Sequence, residues 1–462
     1  MRSFVPLLVG LLIAAPALAQ MGPEMGMGMG PGMGMGGFSA PALVDTAPVF
    51  SLDGKSITFC RVHATFQGTA WAVASSMGGG MGMGMGAEMG MGPGMGPGMG
   101  MGMGMGMGTG PDLSKEGIFQ AGASGGQARN LVSGRALIQD VSQDKVCYVM
   151  LGSAQGYGQQ GIFGMSTGGG GNSQWYPATM PWVRLSPNGN QFVIPWAQGK
   201  AVVFFPAQGN AQQNEGYCLS GNLKVPASWT NESDGVYVIE QKQAAGPMMG
   251  MGMGAEMGMG AMGPGMGAMG PGMGAMGPGM GMGGFAAANI AVGKADQSVT
   301  VVVKQVNPDS FAIRIPGSTD IAVYLAGGQG AGTQGKTWPG AKQGLYVYGQ
   351  DGSEKTKLTS EKVRMAQASP DGKYVAFTWG DKAPLTLSVA AVDGSPVKRV
   401  GFSIIGSISG SLAFAWAPDS KSVAFGAEDD GGNGIFVANV QTGVTSRVST
   451  IVKPEEPEGT GE

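Results

Sequence analysis

A polar turn followed by a strand of alternating apolar residues recurs along the chain. The clearest copy is Ser369–Phe377, in which Ser-Pro-Asp-Gly precedes Lys-Tyr-Val-Ala-Phe. Asp-Gly suits a tight turn, and apolar residues at every second position face one side of a strand, so each copy predicts a β-hairpin. Seven copies are recognisable, starting at Ser51, Ser142, Ser186, Thr230, Pro316, Ser369 and Ala417.

The spacing of these copies predicts a repeated structural unit. Successive starts are separated by 91, 44, 44, 86, 53 and 48 residues. The two long intervals contain methionine- and glycine-rich tracts at residues 76–110 and 244–285, and without the tracts they shorten to 56 and 44 residues. A unit of about 44 residues accommodates four short strands, the size of one propeller blade. We therefore predict an all-β propeller of seven four-stranded blades, with six or eight as alternatives. The tracts should connect the second and third strands of blades 1 and 4.

The ends of the chain have their own composition. Arg2, an apolar run from Val5 to Ala15 and the small residues Ala17-Leu18-Ala19 predict a signal peptide over residues 1–19. The apolar run is too short to span a bilayer and no second such stretch follows, so we expect an exported protein, periplasmic or extracellular, without an integral membrane segment. The remaining expected boundaries are a Met-Gly segment at 20–37, the propeller at 38–452 and an acidic tail at 453–462.

Charge argues against one class of partner. Charged residues make up only 12% of the chain and the formal net charge is −3. Nucleic-acid-binding proteins carry a basic face, which this sequence does not suggest, so we expect no nucleic-acid partner.

The three Met-Gly segments contain 31 of the 36 methionines. So much glycine does not offset its ordering entropy, so we expect flexible, disordered loops on one face of the propeller. Our first expectation is a repeat expansion tolerated in surface loops. The alternatives are oxidant buffering by methionine and Cu(I) binding by thioether sulfur, although His63, the single histidine, offers no His-Met combination. The copper candidates are Met81, Met83, Met85, Met101, Met103, Met105, Met251 and Met253.

The cysteines and two tryptophans predict structural roles. Cys60, Cys147 and Cys218 are odd in number and lack C-x-x-C spacing, which favours buried thiols, with a Cys60–Cys147 disulfide as the alternative. Trp229 and Trp416 directly precede their turns and are predicted to pack between blades.

Two stretches match catalytic motifs. Gly330–Thr337 has the P-loop pattern, but Trp338-Pro339 follows at once and blocks the helix that a P-loop must open. Gly164–Gly168 has the G-x-S-x-G pattern of a nucleophile elbow, but it leads into a glycine-rich hairpin turn. We interpret both as coincidences and expect no catalytic residues and no cofactor.

The block Phe414–Ser449, which contains APDSKSVAF and GIFVANVQTGVTSRVS, resembles the WD40-like repeat of TolB-type propellers, as does Ser369–Gly394. The resemblance implies a periplasmic propeller that acts as a protein-binding scaffold, here without the mixed α/β domain that precedes the propeller in that family. We therefore expect an exported, non-enzymatic scaffold with an unidentified protein partner.

Overall fold

The computed structural model describes residues 41–66, 71–73, 112–152, 160–177, 179, 182–196, 201–207, 217–220, 228–241, 288–327, 342–382 and 384–451. These residues form β-strands and one short 3-10 helix, Leu113–Lys115. In this part of the chain no helix has the length and apolarity needed to cross a membrane. Hydrogen bonding joins the strands of these residues into one five-stranded sheet, four four-stranded sheets and one eight-stranded sheet. We number them in chain order as sheets 1 to 7, with the eight-stranded sheet divided into two four-strand units, sheets 6 and 7.

The strands of the first three sheets are as follows. Sheet 1 contains β1 (Ala42–Phe50), β2 (Ser56–Phe66), β4 (Gly117–Gly122) and β5 (Arg129–Ser133), and the short β3 (Trp71–Val73) pairs with the end of β2. Sheet 2 contains β6 (Arg135–Ser142), β7 (Lys145–Gly152), β8 (Gly161–Ser166) and β9 (Ser173–Tyr176). Sheet 3 contains β10 (Arg184–Leu185), β11 (Gln191–Trp196), β12 (Ala201–Pro206) and β13 (Tyr217–Ser220).

The last four sheets repeat this order. Sheet 4 contains β14 (Ser228–Trp229), β15 (Gly235–Gln241), β16 (Ala288–Lys294) and β17 (Val299–Val306). Sheet 5 contains β18 (Phe311–Arg314), β19 (Ile321–Leu325), β20 (Gly344–Tyr348) and β21 (Glu354–Thr359). Sheet 6 contains β22 (Val363–Ala368), β23 (Tyr374–Trp379), β24 (Leu385–Ala391) and β25 (Lys398–Ile404). Sheet 7 contains β26 (Phe414–Trp416), β27 (Ser422–Asp429), β28 (Gly432–Asn439) and β29 (Thr445–Arg447).

Buried hydrophobic clusters lie between every pair of consecutive sheets. A further cluster joins sheet 7 to sheet 1, where Ile57 and Phe59 pack with Ala424 and Ile435. Because the last sheet packs on the first, the sheets form a closed ring. The predicted all-β propeller fold is therefore confirmed.

The repeated motif forms the turn between the first and second strands. In sheet 6 the Ser369 hydroxyl donates to Asp371 Oδ1 at 2.6 Å and accepts from the Tyr374 amide at 3.0 Å, while the Lys373 amide donates to Asp371 Oδ1 at 3.1 Å. Gly372 has a φ of 69°, which glycine adopts without strain. The same hydrogen bonds close the turns at Ser51–Ser56 and Ser186–Gln191.

We expect Ser369→Ala to lower the free energy of unfolding by about 1–3 kcal/mol, because it removes both hydrogen bonds of a fully buried hydroxyl and leaves the Tyr374 amide without its acceptor. Ser353→Ala is the control, since the Ser353 hydroxyl also donates to an aspartate, Asp351, but lies in an exposed turn. Urea-induced unfolding measures both variants. Equal losses would show that burial of the turn is unimportant.

The motif turns of neighbouring sheets contact one another. The Asp371 amide donates to Ser420 Oγ at 3.0 Å, and the Asn188 amide donates to Ser233 Oγ at 3.2 Å. These turns therefore share one face of the ring, and the connections between second and third strands lie on the opposite face. The tracts at 76–110 and 244–285 lie outside the described residues, between β3 and β4 and between β15 and β16 in the sequence, so their common face stays a prediction.

The two predicted tryptophans pack between sheets. Trp229 and Trp416 are 2% and 6% exposed. Each donates its indole N–H at 3.0 Å to a backbone carbonyl of the preceding sheet, at Arg184 and Gln367 respectively. The predicted packing between sheets is confirmed, and each indole ring also makes a hydrogen bond to the preceding sheet.

Cys60 and Cys147 are free and fully buried, which confirms the buried-thiol interpretation and shows that a disulfide between them is wrong. Burial raises the pKa of the Cys60 thiol to about 12, so this thiol is protonated at neutral pH. The Ile138 amide of sheet 2 also donates to Cys60 Sγ at 3.0 Å. The side chain of Cys218 lies outside the described part of the structure.

Candidate functional site at the centre of the ring

The first strands of the sheets line the inside of the ring. Each pairs only with the second strand of its own sheet, and neighbouring first strands contact one another from β26 through β1 to β22. A strand with one free edge presents unpaired amides and carbonyls. Side chains of neighbouring sheets satisfy several of them: Asp140 Oδ2 accepts from the Leu185 amide at 2.8 Å, and Ser228 Oγ accepts from the Arg314 amide at 3.3 Å.

Three charged residues on these first strands form what we call the central cluster: Asp140 of β6, Arg184 of β10 and Arg314 of β18. Asp140 is held by the Leu185 amide on one carboxylate oxygen and by the Val141 amide, at 2.9 Å, on the other. The Arg184 guanidinium donates to two backbone carbonyls at 3.0 Å, and Arg314 donates to the Asn231 side chain at 3.3 Å.

The three charges act on one another across the ring. Burial raises the pKa of Asp140, while the positive charges of Arg184 and Arg314 act in the opposite direction. Burial also lowers the pKa of both guanidinium groups, and the Asp140 charge opposes this. Asp140 belongs to sheet 2 and Arg314 to sheet 5, so their mutual influence runs across the centre and not along the ring. The charges of Arg184 and Arg314 thus both act on the Asp140 carboxyl group.

The central cluster keeps limited access to solvent. Asp140 and Arg314 are partly exposed, whereas Arg184 is 9% exposed. A site with an excess of guanidinium groups and restricted solvent favours an anionic ligand, because charge-assisted hydrogen bonds strengthen when water is excluded. The Gln367 Oε1 atom of β22 is buried and has no hydrogen-bond partner among the described residues.

The segment between sheets 6 and 7 covers part of the centre. After β25 the Ile405 amide donates to the Gly426 carbonyl at 3.0 Å, and further along the Leu412 amide donates to the Ile138 carbonyl of sheet 2 at 3.3 Å. Ile408 is fully buried in a cluster with residues of sheets 1 and 2. This crossing segment therefore packs against the first strands of sheets 1 and 2.

The structure does not test the sequence-predicted metal candidates. Met81, Met83, Met85, Met101, Met103, Met105, Met251 and Met253 all lie outside the described residues, so the copper hypothesis stays a prediction. In the described part of the chain no three His, Cys, Asp or Glu side chains gather into a metal-binding group.

The two catalytic motif matches have different outcomes. The P-loop match at 330–337 lies outside the described residues. Ser166 of the G-x-S-x-G match ends β8, and its hydroxyl accepts from the Gly170 amide at 3.1 Å within the predicted hairpin turn. Ser166 is therefore a turn residue.

The central cluster was not predicted, although the sequence carries a signal for it. Its three members each stand two residues before a motif turn, at Ser142, Ser186 and Pro316. The same position holds Ser228 and Gln367 in two other sheets. A polar residue repeated at one position of an otherwise apolar strand indicates a role at the ring centre.

No protein-family model matches this chain, and no curated protein matches it. Solved structures do match it. TolB from Acinetobacter baumannii aligns over 72% of this chain with 11% identity and a TM-score of 0.36, and the chain spans 59% of that protein. A putative TolB from Agrobacterium tumefaciens aligns over 64% of this chain and 91% of its own length, with 13% identity and a TM-score of 0.39. An oligogalacturonate lyase in complex with manganese aligns over 66% of this chain and 74% of its own length, with 10% identity and a TM-score of 0.41.

These comparisons confirm the resemblance to TolB-type propellers at the level of the fold. They also correct one prediction. The expectation that the protein is not an enzyme is not upheld, because proteins named as oligogalacturonate lyase, prolyl endopeptidase and acylaminoacyl peptidase are among the similar structures. A propeller of this kind does not exclude catalysis.

Proposed function

We propose that the protein is an exported propeller that binds a protein partner through the central cluster. The observation that carries this proposal is the position of Arg184, Arg314 and a single carboxylate, Asp140, on the first strands of three sheets, where both positive charges act on that carboxylate. An acidic side chain or a C-terminal carboxylate of a partner polypeptide complements this excess of positive charge. Export is supported by the leader-like residues 1–19.

A polypeptide ligand fits this site for two further reasons. The first strands present backbone edges to the centre, and such edges bind extended peptides through main-chain hydrogen bonds. The closed ring also holds these groups on rigid strands, which reduces the entropy lost on binding.

The proposal predicts that Arg314→Met weakens binding of acidic peptides by about 10- to 100-fold, because a hydrogen bond to a charged group is worth roughly 1.5–3 kcal/mol. A random peptide library displayed on phage is selected on the purified full-length protein, and the selected peptides are then titrated against both forms. Arg314 is partly exposed, so the substitution removes charge without opening the core.

Arg399→Met is the matched control, since Arg399 is an exposed arginine on β25, away from the first strands. Selected peptides should bind it as tightly as they bind the unaltered protein. If selection yields no acidic peptides, or if both variants bind them equally well, the central cluster is not the partner site.

A further inference from the structure

A cavity of about 670 Å³ lies where the ring closes, between sheets 1 and 7. One wall is the turn at residues 124–128, which joins β4 to β5, and the other is the chain at residues 447–450, at the end of β29. Arg61 of β2 and Arg447 of β29 also line it. We call it the closure cavity.

The closure cavity is lined by positive but not by negative side chains. Arg61 and Arg447 contribute two guanidinium groups, and none of the described residues that line the cavity is acidic. The partner of Arg61 is Asp45, which is fully buried, and the partner of Arg447 is Asp429, which lies outside the lining. Neither carboxylate lines the cavity, so the charged side chains among its described lining residues are the two guanidinium groups.

Both arginines are fixed before any ligand arrives. The Arg61 guanidinium makes bonds of 2.7 and 2.9 Å to Asp45 and lies 4.7 Å from the centre of the Phe119 ring. The Arg447 guanidinium donates to Asp429 at 2.8 Å and lies 4.9 Å from the centre of the Phe436 ring. Preorganised donors lose little entropy when an anion binds.

The turn between them leaves room for a ligand. Gly125 and Gly126 have φ values of 93° and 123°, a conformation that favours glycine. A Cβ atom placed on Gly126 would meet nothing within 4 Å. The glycines therefore leave space for a ligand on this side of the cavity.

The chain itself supplies a complementary segment. Thr450 lines the cavity, Ile451 pairs with Asn433, and the following residues 452–462 contain Glu455, Glu456, Glu458 and Glu462. Five residues of extended chain span roughly 16 Å, so Glu455 can reach back to the cavity that Thr450 lines. A tethered segment this close has an effective concentration on the order of millimolar.

We propose that the acidic segment Glu455–Glu458 of this same chain binds in the closure cavity, with its carboxylates at Arg61 and Arg447. The segment then bridges sheets 1 and 7 and secures the junction at which the ring closes.

A labelled peptide with the sequence of residues 452–462 tests this proposal on two full-length proteins, the unaltered chain and the variant E455Q/E456Q/E458Q. The variant's own tail lacks three charges, so the peptide should bind it at least about tenfold more tightly than it binds the unaltered chain, whose tail competes. Adding Gln127→Glu to the variant should weaken peptide binding, because Gln127 is an exposed residue of the cavity lining. Gln441→Glu, in an exposed turn of sheet 7 outside the lining, is the control and should change nothing.

Three results would overturn the proposal: no peptide binding to the triple variant, equal binding to the variant and the unaltered chain, or no effect of Gln127→Glu. The second result would mean that the peptide binds a site the tail does not occupy. None of these results bears on the central cluster, which is tested through Arg314.

Discussion

Glu116→Ala is expected to lower the free energy of unfolding by about 3–5 kcal/mol, the range observed when one partner of a buried ion pair is removed. Glu116 is fully buried just before β4. Its carboxylate accepts two bonds from the Arg135 guanidinium, at 2.7 and 2.8 Å, and it also binds the backbone amide of His63 at 3.0 Å and the ring Nδ1 at 2.9 Å. Alanine leaves the buried Arg135 charge without this carboxylate.

Chemical unfolding of Glu116→Ala measures the loss, and Asp381→Ala is its control. Asp381 pairs with Lys362 at 3.3 Å, but its side chain is 88% exposed, so we expect a change of at most about 1 kcal/mol. A loss below about 1 kcal/mol for Glu116 as well would mean that the buried carboxylate contributes no more than a surface charge.

The hydrogen bonds of Glu116 also give the single histidine of the chain, His63, a structural role. His63 is on β2, before the 76–110 tract, and Glu116 follows that tract. Their contact joins the two ends of the long connection and fixes them against sheet 2 through Arg135. The His63 side chain therefore contacts the Glu116–Arg135 ion pair, between the strands that precede and follow the tract.

The fold could be predicted because the residues that specify each turn are close together in the sequence. Ser369, Asp371 and Gly372 specify one turn through hydrogen bonds and a positive φ, and all three lie within four residues. The tracts at 76–110 and 244–285 were recognisable as insertions because their composition differs from the strands that flank them. The repetition of this motif then indicated a ring of units, since each unit must bury its apolar faces against its neighbours.

Strand ends were less predictable than strand positions. The second strand of sheet 6, Tyr374–Trp379, follows its motif turn as the repeated pattern predicts, whereas the fourth strand, Lys398–Ile404, has no such marker in the sequence. The observed pairing with β24 contains irregular register shifts. Gly401 and Ser403 do not look like strand residues, and bulges accommodate them.

The charged groups escaped prediction because they depend on distant contacts. Asp140 and Arg314 are 174 residues apart in the sequence, and only closure of the ring brings sheets 2 and 5 to a common centre. Buried carboxylates such as Glu116 are also rare, so a sequence in isolation favours a solvated side chain at that position. The position two residues before each turn carried the missing information, and comparing all seven copies at that position would have revealed it.

The second large effect is expected at Asp45, where the ring closes. Sheets 1 and 7 share no strand pairing among the described residues, so they are held by a hydrophobic cluster and by the hydrogen bonds of this fully buried carboxylate. Asp45 binds Arg61 through two bonds, accepts from the Ser449 hydroxyl at 2.7 Å, and donates its backbone amide to Asn433. Asp45→Ala should therefore cost about 3–5 kcal/mol.

Asp45→Ala and Glu116→Ala should destabilise different junctions between sheets. Without Asp45 the ring should open first between its ends, because every other junction joins sheets that are also connected by the chain. Amide hydrogen exchange should accelerate mainly in sheets 1 and 7 for Asp45→Ala, whereas for Glu116→Ala it should accelerate in sheets 1 and 2. Uniform acceleration around the ring in both variants would show that the sheets unfold as one unit and that Asp45 does not govern closure. Acceleration confined to the predicted junctions would identify the interface of sheets 1 and 7 as the weakest point of the propeller.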